Sequence, residues 1–479
     1  CESILEDQPG AIDAWRARLA DNPGDSTALG ALERLYEKAQ KWRELVEVLR
    51  AREQGSTDPD ERRRIMTRIA QTLTDKLDDV PESISAWRSI LEEFGPERPV
   101  LQALETLYEK ADRWVDLAET LDADLALAEE PNDRIALLVR LGDVRRTHQD
   151  DLLGALEAYR QALTIEPSHG PSRAALELLL ENSSARRDAA QVLHPLYEAD
   201  GDHEKLLKVV QIEAETSYSP VERLDLLEQA VKVAEGPLAD PARAFQFAVG
   251  GLKEAAGTDS VQGWLDTVER LASATRRFPE LVALLREVVG QILDGDIQLS
   301  VTLRIAELAR TELADRELAR ENYLKALDIH GDDPRALIAL EALYEEAGDA
   351  NALLNIIRRR VDVAENEGEK KQLLFRQARL CSEVLQDRPA AIAVYESVLD
   401  LDLDPAAVEA LEKLYTETDR YNDLVALYER QLDQESTDKA LLRVKIAQVA
   451  DARLGDTLRA FDELADALAI DPQNPAAIA

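Results

Sequence analysis

The sequence is poor in the residue types that build most metal and redox sites. Its 479 residues include two cysteines, one methionine and five histidines, and only 5% of the residues are aromatic. Cys1 and Cys381 are too few for a disulfide framework or a four-cysteine metal site. The histidines are scattered, with no pair at the spacing of a metal-binding motif. We therefore expect no metal ion and no other cofactor.

Basic residues are also scarce. The chain has 57 Lys and Arg against 95 Asp and Glu, which gives a formal net charge of −38. Nucleic-acid binding needs clustered Lys and Arg, so we expect no DNA or RNA partner. No stretch approaches the roughly 18 apolar residues of a membrane span. The negative field favours basic protein partners, although adaptation to a salty habitat would produce the same charge.

No catalytic pattern is present in the sequence. Phosphate-binding glycine loops are absent, and Gly250-Gly251 lies within a helical pattern that indicates close helix packing. Acidic pairs such as Glu129-Glu130 occur throughout the chain and are typical of solvated helix surface. Cys381 lies on an apolar helical face, where burial as a small side chain is expected rather than nucleophilic chemistry. We therefore predict that this region is not an enzyme.

The first residue is Cys1 instead of Met. One interpretation is a fragment of a longer chain, and the end of the sequence near Pro475, where a new helix should begin, favours it. The other is a mature bacterial lipoprotein, in which a lipid attached to Cys1 would tether the chain to a membrane. The second interpretation predicts a periplasmic or cell-envelope location, and the first is compatible with the cytoplasm.

An internal repeat organises the chain. Six related segments begin at Ala31, Ala103, Ala175, Thr267, Ala339 and Ala410, and the first of them reads Ala-Leu-Glu-Arg-Leu-Tyr. Successive copies are 72, 72, 92, 72 and 71 residues apart. Self-similarity at a fixed period is the signature of a repeat architecture.

Each repeat contains four amphipathic helical patterns joined by short connections, and no alternating strand pattern accompanies them. The sequence therefore predicts an all-α fold. The long interval after the third copy holds about 20 extra residues, which we interpret as one additional helix within 203–215. Because an odd helix disturbs the alternation of helix faces, we predict an insertion with a kink near 182–220.

One hairpin of each unit resembles the tetratricopeptide repeat. Ala155, Tyr159, Ala162 and Pro167 have that family's spacing of small, aromatic, small and closing proline residues. Partial copies of this pattern occur at Ala11, Trp15 and Pro23, at Ala319, Tyr323 and Ala326, and at Ala460, Leu464, Ala467 and Pro472. The other hairpin, as in 339–363, keeps the pattern of the first helix but departs from the family in the second.

The resemblance implies an α-α superhelix, a solenoid whose first helices line a concave groove. Hairpins of this kind bury their apolar faces by stacking on their neighbours. We expect about 13 hairpins, arranged as roughly six units of 72 residues, in a single continuous solenoid over 1–479. The repeated tyrosines, such as Tyr36 and Tyr108, are expected to pack between helices rather than to bind a ligand.

Besides the pairs Arg186-Arg187 and Arg276-Arg277, two clusters of three consecutive arginines stand out in this acidic chain. They are Arg62-Arg63-Arg64 and Arg358-Arg359-Arg360, and each could bind a carboxylate of a partner. The alternative is pairing with glutamates of neighbouring helices. The sequence predicts a protein–protein interaction scaffold within a larger assembly, and it leaves open a self-assembling structural protein and the regulatory arm of a larger enzyme or signalling protein.

Overall fold

The computed structural model describes residues 8–434 and 438–478. The chain forms two compact units, the first ending at Phe247 and the second beginning at Ala248. The boundary falls within α14. The helices up to that point are α1 Gln8–Asp21, α2 Ser26–Lys38, α3 Trp42–Gly55, α4 Pro59–Thr72, α5 Val80–Phe94, α6 Arg98–Lys110, α7 Trp114–Leu127, α8 Pro131–His148, α9 Leu152–Ile165, α10 Gly170–Leu179, α11 Arg186–Asp200, α12 His203–Thr216, α13 Pro220–Glu235 and α14 Pro241–Ala255.

The second unit continues with the same kind of element. Its helices are α15 Val261–Thr275, α16 Phe278–Val288, α17 Gly295–Thr311, α18 Arg316–Ile329, α19 Pro334–Ala347, α20 Ala350–Val363, α21 Glu367–Arg379, α22 Arg388–Leu401, α23 Pro405–Glu417, α24 Tyr421–Leu432, α25 Lys439–Val449, α26 Thr457–Ile470 and the short α27 Pro475–Ile478. In the described part of the chain, π-helical segments extend α4, α21 and α25, at Leu73–Leu77, Leu380–Val384 and Ala450–Leu454.

Within each unit, consecutive helices pack against each other in hairpins. The described residues contain 26 helices of ten residues or more, which is enough for the thirteen predicted pairs, and no strand occurs among them. The all-α, tetratricopeptide-like solenoid predicted from the sequence is confirmed. None of the helices in the described ranges is long and apolar enough to cross a membrane.

Short turns that contain a residue in the left-handed conformation determine where many helices begin. Asp78 and Asp150 have φ of 52° and 54°, and each directly precedes an aspartate that caps the next helix. Asp79 and Asp151 accept hydrogen bonds from the free backbone N–H groups of α5 and α9. Such a cap satisfies donors that the first helical turn leaves unpaired. The aspartates that make the chain acidic therefore also define its turns.

Glycines allow the closest helix approaches. A Cβ at Gly142 of α8 would lie 2.6 Å from Cε1 of Tyr159 on α9, which is closer than a side chain tolerates. In the second unit, the ring of Trp264 lies directly against the backbone of Gly251. The close packing predicted at Gly250-Gly251 is confirmed for Gly251.

The repeated tyrosines and Cys381 are part of the core. Tyr36, Tyr108, Tyr344 and Tyr415 are all buried, as packing residues should be. Cys381 is a free, fully buried cysteine, and burial raises the pKa of its thiol. Because the thiolate is the reactive form, this environment makes Cys381 inert.

The predicted helix within 203–215 is present as α12, which spans His203–Thr216. The last buried residue of the preceding helix α11 is Tyr197, which lies six residues before His203. The same interval separates Tyr36 from Trp42, the first residue of α3. α11 and α12 therefore correspond to α2 and α3, and the extra helix is α10. The interpretation of 203–215 as the additional helix is wrong, because α12 occupies a regular position of the repeat. The kink near 182–220 stays a prediction, and Cys1 lies outside the described residues.

Candidate interaction groove

A buried glutamate on the first helix of a hairpin recurs through both units. In the first copy, Glu33 of α2 accepts hydrogen bonds from Arg52 of α3 and Arg68 of α4. Glu33 is buried, whereas both arginines reach it from the surface. Arg52 also binds Glu61, and Arg68 also binds Glu37. We call this arrangement a glutamate clasp, because one carboxylate joins three successive helices.

The clasp is repeated with the same spacing in the second unit. Glu341 of α19 accepts from Arg360 of α20 and Arg376 of α21, and only 3% of its surface is exposed. Arg360 and Arg376 lie 19 and 35 residues after the glutamate, as Arg52 and Arg68 do after Glu33. A buried carboxylate is tolerated when charged donors satisfy it. The clasp therefore fixes how neighbouring hairpins stack.

The clasp around Glu105 has a second carboxylate in place of an arginine. Glu105 of α6 binds Arg140 of α8 at 2.6 Å, and the residue 19 positions on is Asp124 of α7, which is fully buried. Asp124 is held by Arg98 at 2.9 Å. One oxygen of each carboxylate is buried without a hydrogen-bond partner. Burial is the main cause that raises the pKa of Glu105, and the charge of Asp124 acts in the same direction.

At Glu269 the clasp lacks one of its two arginines, and a groove opens beside it in the second unit. This groove encloses about 740 Å³ between α15, α17 and α19, each the first helix of its hairpin. Glu269 keeps a single clasp partner, Arg304 of α17, at 3.2 Å. The groove is lined by Gln262, Leu265, Asp266, Glu269, Ile297, Ser300, Val301, Leu303, Arg304, Glu307, Arg310, Tyr323, Arg335, Ile338, Ala339, Ala342, Leu343 and Glu346.

Apolar residues replace charged ones around this groove. Val288 and Ile297 lie 19 and 28 residues after Glu269, where the clasp of Glu341 has the ion pair Arg360–Glu369. Val288 is fully buried, so its position offers no charge to Glu269. Because the arginine and the glutamate of the clasp are absent here, an open space remains, and the side of α17 that faces it is apolar.

The opposite wall of the groove is apolar and partly exposed. Ile338 of α19 has 53% of its surface exposed, and Ala339 and Ala342 lie on the same helix face. The equivalent of Ile338 in the next copy is Glu409, and the equivalent of Ala342 is Lys413. The exposed isoleucine beside two small residues therefore gives this level of the repeat an apolar surface that the next copy lacks.

Charged groups lie at the edges of the groove. Arg304 is paired with Glu269 and Glu307, and Arg335 is paired with Asp333. Arg310 is exposed and lies beside the hydroxyl of Tyr323. Burial raises the pKa of Tyr323, and the neighbouring guanidinium opposes that rise, so the tyrosine is a neutral hydrogen-bonding group. The arrangement suits a peptide segment with an apolar side chain and polar flanks.

The first arginine cluster lies on α4. Arg62 pairs with Glu93 at 3.2 Å, and Arg63 pairs with Glu97. Arg64 is exposed, and it lines a shallow depression between α2 and α4 together with Arg63 and Arg68. Two of the three arginines are thus used in contacts between helices.

The second arginine cluster lies on α20, at a different position of the repeat. Arg359 binds Asp332 at 2.6 Å, and Arg360 is part of the Glu341 clasp. Arg358 is exposed. Each cluster therefore presents one exposed arginine, Arg64 or Arg358, and two that bind glutamate or aspartate of the chain itself.

Sequence reasoning did not identify the clasp glutamates or the groove. In the sequence, Glu33 and Glu341 resemble the many glutamates of an acidic helix surface. The available signal was the recurrence of Arg 19 and 35 residues after the glutamate in two of the copies. Comparison of the copies position by position also shows that Ile297 stands where most other copies carry Asp or Glu, and that Ile338 stands where most others carry Gln, Asp or Glu.

A search of curated protein sequences found no match. Among solved structures, one similar chain comes from the "Structure of Naa15/Naa10 bound to HypK-THB", with 13% sequence identity and a TM-score of 0.31. The alignment covers 99% of this chain and 88% of that one.

A family model described as tetratricopeptide repeat matches residues 28–62, 100–135 and 407–440. These ranges correspond to the hairpins α2–α3, α6–α7 and α23–α24, each with the start of the following helix. All three are hairpins of the type whose second helix departs from the family pattern, and Ala155 and Tyr159 lie outside the matches. The three matches show that the chain contains tetratricopeptide repeats.

Proposed function

We propose that this chain is a non-enzymatic protein-interaction scaffold and that it holds partners within a larger assembly. Tetratricopeptide repeats at three places support this function. Stacked hairpins offer long surfaces without a concentrated reactive site. The net charge of −38 favours partners with basic surfaces, because it raises their rate of encounter.

The groove between α15, α17 and α19 is the proposed binding site for a partner segment. The observation that carries this proposal is that Ile297 and Ile338 are apolar at positions where the other repeats mostly have polar residues. Ligand sites are typically concave and apolar with a few polar groups that fix orientation. An apolar side chain of the partner would fill the space between Ile338 and Ile297.

The charged residues at the edges of the groove determine which partner residues can lie on either side of that apolar anchor. Asp266 and Glu307 would bind a Lys or Arg of the partner, and Arg310 would bind a carboxylate or a backbone carbonyl. Arg64 and Arg358 are separate proposed contacts for acidic partner groups. Their neighbours Arg62, Arg63, Arg359 and Arg360 contribute indirectly, since they hold α4 and α20 in place through their ion pairs.

Selection of peptides from a random display library on the full chain tests the groove. We expect the selected peptides to share an apolar anchor, and Ile338→Glu should abolish their binding, because it places the charge of the Glu409 position in the groove. Leu441→Glu is the matched control, since Leu441 is also an exposed apolar residue but lies on α25, outside the groove.

Two results would contradict the proposal. One is selection of peptides whose affinity is the same for the wild type and the Ile338→Glu variant. The other is an equal loss of binding in the Leu441→Glu control. Light scattering at increasing concentration addresses the self-assembling alternative, and a rise in mass with concentration would favour that function over a monomeric scaffold.

A further inference from the structure

The clasp at α11 is built from different residues than those of the other repeats. Its buried glutamate is replaced by His194, and the residues 19 and 35 positions later are Glu213 and Gln229. Glu33 and Glu341 have an arginine at both of these positions. The fixed charges of the clasp are thus exchanged for one histidine, one carboxylate and one neutral amide.

These three side chains form a continuous hydrogen-bonded chain across three helices. Nδ1 of His194 on α11 lies 2.6 Å from Oε2 of Glu213 on α12. Nε2 of the same ring lies 3.0 Å from Nε2 of Gln229 on α13. Glu213 is buried, and about a fifth of the His194 side chain is exposed. The ring therefore has hydrogen-bond partners on both sides, and it is the element that joins the three helices.

We propose that His194, Glu213 and Gln229 form a pH-responsive clasp that holds α11, α12 and α13 together more tightly when His194 is protonated. Neutral His194 donates from Nδ1 to the Glu213 carboxylate and accepts from the Gln229 amide at Nε2. Protonation adds a second donor at Nε2. Gln229 must then turn its amide so that the carbonyl oxygen accepts, and the bond between His194 and Glu213 becomes an ion pair.

The surroundings of His194 favour the charged form. Glu213 faces it from α12 and Glu198 lies one turn away on α11, while Gln229 of α13 is neutral. On α10, the acidic group is Glu177, which binds the hydroxyl of Tyr197. The hydrogen bond to Glu213 is the largest cause that raises the pKa of His194 above 6.5, and burial opposes it.

The direction of the pH effect follows from this raised pKa. A histidine that binds its proton more tightly in the folded state stabilises that state below the unfolded pKa of about 6.5. The stabilisation is lost as the pH rises through the higher folded pKa. α11–α13 should therefore open more readily at pH 8 than at pH 6.

Two measurements on the full chain test the proposal. NMR titration should give His194 a pKa above 6.5, which Glu213→Gln should return towards the ordinary value. Hydrogen exchange, corrected for the intrinsic rate, should show slower opening of α11–α13 at pH 6 than at pH 8. The opening constant far above the transition, divided by the opening constant far below it, should equal the antilog of the measured rise in pKa.

Variants of the clasp separate a pH response from general helix packing. His194→Gln should make the opening of α11–α13 independent of pH between 6 and 8. The triple variant His194→Glu, Glu213→Arg, Gln229→Arg restores the residues of the Glu341 clasp, and it should be folded and equally insensitive to pH. A normal pKa for His194, or a pH dependence of α11–α13 that persists in both variants, would overturn the proposal.

Discussion

Removal of the Glu341 carboxylate should loosen the contact of α19 with α20 and α21. In Glu341→Ala, Arg360 and Arg376 each lose a charge-assisted hydrogen bond, and α19 loses its polar link to both neighbours. We choose this clasp because Glu341 is almost fully buried. The next repeat supplies a comparison, since Glu412 of α23 forms a more exposed and longer contact with Lys445, at 3.3 Å.

The expected magnitude follows from the partners that remain. A hydrogen bond to a charged group contributes about 1.5–3 kcal/mol, so two would give roughly 3–6 kcal/mol. The arginines keep other carboxylates, however: Arg360 keeps Glu369 at 2.8 Å and Arg376 keeps Glu345 at 3.1 Å. Both arginines also reach solvent, which lowers the cost of losing one partner. We therefore expect a loss of about 2–3 kcal/mol for Glu341→Ala and under about 1 kcal/mol for Glu412→Ala.

Native-state hydrogen exchange is the suitable assay. A chain with two units and many repeats does not unfold as one cooperative body, so a single melting temperature would mix several transitions. Protection of α19–α21 should fall by about 30- to 150-fold in Glu341→Ala, the equivalent of about 2–3 kcal/mol. Equal effects of Glu341→Ala and Glu412→Ala would refute the view that burial makes the clasp strong.

Two further predictions concern the first unit. Gly142→Ala should destabilise α8–α9 by up to about 2 kcal/mol, because overpacking against Tyr159 outweighs the gain in helix propensity. Gly30→Ala should instead stabilise α2 by up to about 1 kcal/mol, since nothing lies within 4 Å of the added Cβ. Hydrogen exchange of these helices measures the sign of both effects. Burial raises the pKa of Glu105 above 4.5. The stability of α6–α8 in the wild type, relative to Glu105→Gln, should therefore fall as the pH rises from about 4.5 towards 7. A difference in exchange protection between the two proteins that does not change with pH would contradict this.

Most of the fold could be predicted from periodicity alone. The recurrence of the segments at Ala31 and Ala103 sets the period, and the helical spacing of apolar residues gives the helices. The capping aspartates Asp79 and Asp151 also follow a local rule, because a cap depends on the backbone next to it in the sequence. Local rules suffice here, since each hairpin contacts mainly its neighbours in the chain.

The polar features were harder to predict because they depend on contacts between helices far apart in sequence. Nothing in its immediate neighbours distinguishes Glu341, a buried clasp residue, from Glu345, which is exposed. Placing the third copy at Ala175 also concealed that Tyr197 occupies the position of the repeated tyrosine, and with it the role of His194. The spacing to Gln229 becomes informative only after the clasps of other copies are known.

The final prediction is that the groove can be closed by introducing the charged residues that other repeats have at the clasp positions. The double variant Val288→Arg, Ile297→Glu gives the Glu269 level the arginine and glutamate found at Arg360 and Glu369. The new arginine would reach Glu269 and the new glutamate, as its counterpart reaches two carboxylates in the Glu341 clasp.

We expect this double variant to lower the hydrogen-exchange rate of α15–α17 and to abolish binding of groove-selected peptides. The single variant Val288→Arg is the control, since it adds the charge without its second partner and should destabilise α16. Faster exchange in the double variant than in the single one would show that the clasp does not transfer between repeats. Unchanged peptide binding in a folded double variant would place the binding surface elsewhere. If both expectations hold, the groove exists because the repeat around Glu269 lacks the charged residues that fill the corresponding space in other repeats.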